Sequence, residues 1–316
     1  MSTRLTTSLF CLLCVSFAPQ ERLYALSNPL SFKKVSSLFA GKQPYEEVIQ
    51  KEYTLGKKPT IDLEAHTGLI QVRAGTGAKV TIQATKKASS KENLANMHLL
   101  AQKTDANTLT IKTVVADQSI SGNIDYLLTI PEKATIKITA QEGTIKIRKT
   151  AGAVTASVDS GSIEAYDTYG ALEVTTKTNG AIVAQNTHGN IIATTLTGNI
   201  TIENSYQDVI AQTKKGRICA RCKKIPASST ISIASTTGNV NLALPEGTNA
   251  NLKAQTGQGN LTCSHYVTLN PLTTQLNHEA WNRFKKEVDG ILGTGDATIK
   301  VVTGHGNIRI TDLDEA

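Results

Sequence analysis

The chain has 316 residues, a formal net charge of +7 and only 4% aromatic residues. That length can bury a sizeable core and permits two domains, while the abundance of Thr, Ile, Val, Ala and Gly suits a thin, layered β core better than a bulky one. The charge is too diffuse to diagnose nucleic-acid binding; it is compatible with acidic glycans or lipid headgroups and, more simply, keeps the protein soluble.

At the N-terminus, Arg4 precedes an apolar run from Leu9 to Ala18 that only Ser16 interrupts, and small residues follow at Ala18 and Ala25. This is the layout of a secretory signal, and the run is shorter than the roughly 20 apolar residues that a membrane span needs. Residues 1–25 therefore read as a signal peptide, followed by a linker, 26–44, and a β domain over 45–316. Cleavage after Ala18 puts Pro19 next, and cleavage after Ala25 leaves Leu23 three positions back, so the site stays open, as does a retained anchor. Cys11 and Cys14 lack the small preceding residue of a lipoprotein signal. No later segment is apolar enough to span, so the expected location is exported: periplasm, cell surface or medium.

The β domain opens on Thr67-Gly68-Leu69-Ile70-Gln71-Val72. Met97–Gln102 and Thr108–Val115, joined by Asp105-Ala106-Asn107, read as a hairpin. Leu128-Thr129-Ile130-Pro131-Glu132 has an echo in Leu242-Ala243-Leu244-Pro245-Glu246. Proline donates nothing to a ladder, so each should end a strand.

Between residues 140 and 224 lies the organising feature. Gly143, Gly152, Gly161, Gly170, Gly180, Gly189, Gly198 and Gly216 fall nine residues apart, with one step of ten and one glycine replaced by Gln207. Two residues after each turn position stands a branched aliphatic residue: Ile145, Val154, Ile163, Leu172, Ile182, Ile191, Ile200, Val209 and Ile218. Four residues after it comes another apolar and mostly small one, from Ile147 and Ala156 to Ala211 and Ala220. Such alternation closed by glycine is a strand with one buried face. A unit this short cannot bury that face alone and must stack on its copies. Two units make an eighteen-residue coil, with glycine supplying the sharp corners. An antiparallel sandwich shows similar alternation, but so constant a repeat favours a parallel β-helix-like solenoid.

Past the signal only Cys219, Cys222 and Cys263 remain. No second Cys or His pair stands at zinc-site spacing, and the Cys-x-x-Cys lacks a βαβ setting. A structural role or a disulfide at a local turn is the expectation. Lys214, Lys215, Arg217, Arg221, Lys223 and Lys224 form a basic cluster, with no acidic residue between Val209 and Pro245. Charge runs usually solubilise, but in a stacked coil this one would make a positive band suited to anionic ligands. Over 277–289, Ala280, Trp281, Phe284 and Val288 fall on one helical face, with Gly290 as a stop. The expectation is a short amphipathic helix covering a solenoid end. Thr303-Gly304-His305-Gly306-Asn307-Ile308-Arg309-Ile310 then closes the pattern.

An exported start, a Thr-x-Gly-x-Ile-x-Val-like opening, a strand ending in Ile130-Pro131-Glu132 and then serial Gly-x-Ile-x-Ala units resemble the bacterial putative-adhesin family of β-strand-repeat domains. The resemblance runs from Tyr45 to Thr311 and implies a solenoid-like β fold outside the cytoplasm. It supplies no catalytic residues, and the helical insert departs from the family's all-β pattern.

Enzymes that cut acidic polysaccharides on such folds need clustered carboxylates. Asp159, Glu164, Asp167 and Glu173 come closest, yet eighteen-residue coils put Glu164 and Glu173 on opposite sides, as solvated surface acids. The histidines lack metal spacing, and the Gly-Gly-x-Gly-x-Asp calcium signature is absent. No catalytic residue, metal ligand or cofactor is expected. The expected function is a non-enzymatic adhesin or cell-envelope binding scaffold. Its partner classes are glycans, anionic envelope components or other surface proteins, without nucleic acid. A self-assembling structural solenoid and a polysaccharide-acting enzyme are the alternatives.

Overall fold

The inward positions of the nine-residue pattern form two continuous apolar columns. Ile145, Ile163, Ile182, Ile200, Ile218 and Val240 stack in parallel register in one ladder. Ile136, Val154, Leu172, Ile191, Val209 and Ile231 stack in the other. All twelve are buried. Each column has a second, smaller companion, such as Ala165, Ala184, Ile202 and Ala220 beside the isoleucines. The small side chains leave room for the branched ones of the opposite ladder, which is how a thin core reaches close packing.

The computed structural model describes residues 45–116, 122–269 and 286–313, all within one compact unit, Pro44–Ala316. The signal segment 1–25 and the linker 26–44 lie outside the described residues. The described chain is all-β apart from one five-residue helix, Lys91–Ala95, whose N-cap Ser90 accepts from the Asn93 backbone N–H. No helix in it is long and apolar enough to cross a membrane.

Register partners in both ladders are 18 or 19 residues apart along most of the stack. The chain runs through the first ladder, turns at a glycine, runs through the second, turns again and starts the next coil. The turn after the first ladder, that of Ile136, Val154 and Leu172, is built on Gly143, Gly161, Gly180, Gly198, Gly216 and Gly238, all at φ between +134° and +155°. At Gly198 a Cβ would lie 1.9 Å from the carbonyl oxygen of Gly180 in the coil below. Only the absence of a side chain lets successive corners approach this closely. Gly152, Gly170 and Gly189 stack in the same way at the opposite corner but without positive φ.

A column of buried hydroxyls ties the glycine corner. Thr195 donates to the Gly180 carbonyl, Thr213 to Gly198, Ser235 to Gly216 and Thr303 to Gly238, at 2.9–3.3 Å. These hydroxyls face the core, where an unpaired polar atom is expensive, and each finds its partner in the neighbouring coil.

Spatial order departs from chain order at both ends. The strands Thr230–Thr237 and Val240–Leu244 pair with Ala297–His305 and Ile308–Asp312. The latter two in turn pair with Ala250–Gln258 and Leu261–Cys263. The coil at 297–312 is therefore intercalated between two coils that precede it in sequence. At the other end, Thr60–Gly75 pairs on one side with Thr108–Val115 and Gly122–Pro131 and on the other with Thr135–Arg148. Each time the chain leapfrogs a coil, and each leap starts at one of the two echoed Pro-Glu dipeptides, Pro131-Glu132 or Pro245-Glu246. Beyond them the ladders end in antiparallel strands, including Met97–Lys103 on Thr108–Val115 and Tyr45–Thr54 on Lys79–Ala88.

The helix expected over 277–289 requires correction at its C-terminal end. Glu287–Leu292 is a strand, antiparallel to Ala250–Gln258, and Gly290 pairs opposite Leu252 instead of stopping a helix. The open edge of Ala250–Gln258 supplies hydrogen bonds that an isolated helical turn could not match. Ala280, Trp281 and Phe284 lie outside the described residues.

Candidate binding face

Outward positions of the second ladder alternate with the buried isoleucines and make a polar sheet face. On it Lys146 pairs with Glu164 at 3.0 Å, the Tyr166 hydroxyl donates to Glu164 at 3.2 Å, and the Arg148 guanidinium lies 5.2 Å from the centre of the Tyr166 ring. Partial burial, reinforced by the Glu164 charge, pushes the Tyr166 hydroxyl above its ordinary range. One coil further, Gln185 donates to Glu203 at 2.8 Å.

The coil at 209–224 carries the basic cluster, and the fold divides it. Lys214, Lys215 and Arg217 are exposed around the Gly216 corner, with the Arg217 backbone N–H held by Asn199 Oδ1. Lys223 and Lys224 are exposed at the opposite corner. The strand between them, Ile218–Cys222, separates the two groups by about 20 Å at the usual strand rise. Arg221 lies on the outward face near the Lys223 end of that strand and donates to the Leu313 carbonyl at 3.1 Å. Among the described residues, none of the five corner cations forms a carboxylate ion pair within 4.0 Å. Lys223 and Lys224 also line a cleft of about 360 Å³, together with Glu246 and Asp296, where the chain leaps from Pro245.

The thiols of the Cys-x-x-Cys point apart. Cys219 is half-buried on the outward face, Cys222 is buried on the inward one, and both are free, as is Cys263. A disulfide at a local turn is thereby ruled out for this pair, because strand alternation sends them to opposite faces. Burial raises the Cys219 thiol, with Glu203 adding to the effect and Arg221 and Arg217 opposing it.

The four acids considered for chemistry do not converge. Glu164 lies on the second ladder and Glu173 on the first, while Asp159 pairs with Lys177 at 2.8 Å and Asp167 accepts from Asn186. Among the described residues no three His, Cys, Asp or Glu side chains are grouped to hold a metal ion.

One arrangement escaped the sequence reading. At the corner after the second ladder, Tyr169, His188 and Tyr206 stack ring on ring, with centroids 4.6 and 4.4 Å apart and planes within 17° and 6° of parallel. Beside them Asn204 donates to Asn186 and Asn186 to Asp167, all three at φ 55°. The rings occupy the position just before Gly170, Gly189 and Gln207. Reading that phase of the repeat down the chain lines the three rings up in sequence, though not in space.

Among curated proteins, none matches the sequence. A "putative adhesin" structure from Bacteroides fragilis NCTC 9343 is similar at 14% identity and a TM-score of 0.38, over 86% of this chain and 100% of that one. A "putative cell adhesion protein" from Clostridium sporogenes ATCC 15579 is similar at 11% identity and a TM-score of 0.28, over 85% and 100%. A "putative adhesin" from Parabacteroides distasonis ATCC 8503 gives 8% and 0.24, over 84% and 97%. The family model described as Toastrack DUF4097 matches residues 59–311, nearly all of the two ladders, and the chain belongs to that family.

Proposed function

We propose that this chain is a non-enzymatic, exported, adhesin-like scaffold whose second-ladder face holds an anionic polymer of the cell envelope. In this reading the two ladders are the faces of a parallel β-helix-like solenoid, and the stacked core keeps the outward side chains in fixed positions. The observation that carries it is the coil at 209–224, which offers five exposed cations at its two corners, free of carboxylate partners among the described residues. A flexible polyanion crossing the Ile218–Cys222 strand would reach both corners at once, which raises effective concentration without a deep pocket. Export is supported by the charge, apolar run and small residues of the N-terminal segment.

The test is retention on immobilised heparin and on anionic lipid vesicles across a salt series. Attraction between exposed charges is screened within about 8 Å at physiological ionic strength, so retention should fall steeply as salt rises. Replacing Lys214, Lys215, Arg217, Lys223 and Lys224 together with Ala should abolish it while the circular dichroism spectrum stays unchanged. Equal retention of the substituted protein would sink the proposal.

A further inference from the structure

The aromatic column ends one ring short. Backbone pairing at this corner sets Tyr169 over Ala151, His188 over Tyr169, Tyr206 over His188 and Lys223 over Tyr206: the Tyr169 N–H donates to Thr150, His188 to Thr168, Tyr206 to Thr187 and Lys223 to Ser205, at 2.8–3.2 Å. The same pairing sets Ala151 over Lys133, through the Ala151 N–H to the Glu132 carbonyl. Successive coils hold side chains of one column at about 4.8 Å, the strand spacing, and this spacing makes the rings stack. His188 thus has both faces covered, whereas Tyr169 has one face on His188 and the other toward a position occupied by a methyl group. Tyr169 is 54% exposed, among the most exposed large apolar side chains of the described residues. Evolution of a merely structural stack needs no such open end, and Ala151 leaves a space one ring thick on a tyrosine face.

The surroundings define what would fill it. Lys133 stands one coil beyond Ala151, Arg148 and Lys149 lie three and two residues before it, and all three are exposed. Glu132 is the acidic residue on that rim, while Asp167 is engaged by Asn186. A ligand there must present a flat apolar face to the tyrosine ring and negative charge at its edge. A pyranose ring bearing a carboxylate meets both needs: its axial C–H groups lie against the electron-rich ring face, the side of the quadrupole that attracts positive density, and its carboxylate reaches a lysine. A planar aromatic side chain from a partner protein would satisfy the stacking but leave the cations unused.

We infer that Tyr169, Ala151, Lys133 and Lys149 form a subsite for one uronic-acid ring of an acidic polysaccharide, capping the aromatic column. The subsite is separate from the basic coil at 209–224, on the far side of His188 and Tyr206. If both bind the same polymer, it runs along the corner for about 19 Å, four strand spacings.

The experiment uses a galacturonate hexamer, its carboxyl-reduced neutral counterpart and N-acetyltyrosinamide as probes, with affinity from calorimetry and contact from saturation-transfer NMR. The hexamer should bind, with saturation strongest on the C–H face of a ring. Tyr169→Ala should weaken it about tenfold or more. Ala151→Phe should weaken it equally by filling the space, and should raise rather than lower the melting temperature because it extends the stack. That variant separates loss of the subsite from loss of fold. Lys149→Ala with Lys133→Ala should weaken the acidic hexamer and leave the neutral one unchanged. The five-fold Ala variant of the basic coil should keep ring contact, so failure of that site and failure of this one are distinguishable. The inference is overturned if the hexamer does not bind at about 5 mM, a weak-binding limit, or if Tyr169→Ala and Ala151→Phe bind as the parent does. Ring-face saturation of N-acetyltyrosinamide in place of the sugar also overturns it.

Discussion

Replacing Gly198 with alanine puts the stacked corner under direct test. Gly198 has φ +154°, and its added Cβ would lie 1.9 Å from the Gly180 oxygen and 2.7 Å from the Gly180 carbonyl carbon. Both atoms are backbone, so no side chain can swing aside. Holding alanine at that φ costs about 1–3 kcal/mol, and prising neighbouring coils apart costs a further 1–3 kcal/mol or so, by analogy with overpacked cores. Unfolding entropy of about 2 cal/mol/K per residue makes each kcal/mol about 2 °C for a domain of some 250 residues, so the melting temperature should drop about 4–12 °C. Gly247→Ala is the control. It has φ +70° with nothing within 4 Å of its added Cβ, so only the left-handed backbone penalty of about 1–2 kcal/mol applies, or about 2–4 °C. Thermal unfolding followed by far-UV circular dichroism reads both. Nearest-neighbour coupling should also confine faster amide exchange to the coils next to Gly198. A Gly198→Ala protein that melts no lower than Gly247→Ala would refute the claim that corner-to-corner contact demands glycine.

Two further outcomes follow from the buried polar groups. Thr213→Val keeps the branched shape but removes the donor to the Gly198 carbonyl; about 1 kcal/mol, or about 2 °C, should be lost on melting, and no change would show that hydroxyl to be idle. Burial pushes the Cys222 thiol up to about 11 from 9.0 and the Tyr126 hydroxyl up to about 12 from 10.0. The folded protein therefore holds these protons more tightly than the unfolded chain, and the stability they contribute is complete below about pH 9 and lost as pH rises through about 11–12. Urea titrations across that range should show the decline, and Cys222→Ala should remove its lower part; a decline unchanged in that variant would reassign it to other groups.

The two buried columns were legible because they are local. Residues such as Ile163 and Ile182 keep one phase relative to the glycines, and phase is all that strand alternation needs. The order of coils was not legible. Leu252 and Ala254 present the same inward pattern as Ile299 and Val301, so nothing in either segment says which one touches Ile231 and Ile233. The Pro131-Glu132 and Pro245-Glu246 echo marked both leaps, but as a sequence feature it announced only the end of a strand. The expected helix failed where Glu287–Leu292 meets a free edge, because Val288, Gly290 and Leu292 also alternate with period two and the waiting partner decided between the periods. The basic cluster was legible as composition; its division between two corners became visible only with the coil width. The Tyr169–His188–Tyr206 stack needs pairing distance as well as phase, since residues 18 or 19 apart become neighbours only when coils close.

The intercalated coil bears on how the protein is made. Residues 250–263 leave the ribosome before residues 297–312, yet their permanent neighbours are the later ones. Until those arrive, the edge of Thr230–Thr237 and Val240–Leu244 has no lasting cover, and any early docking of 250–263 there must be undone. Growth of the stack therefore cannot be a simple vectorial winding from one end. A translating chain has to keep its penultimate layer in waiting, so a message cut before Ala297 would yield a protein with an unfinished, adhesive edge. The leap thus couples completion of the fold to completion of translation through this segment.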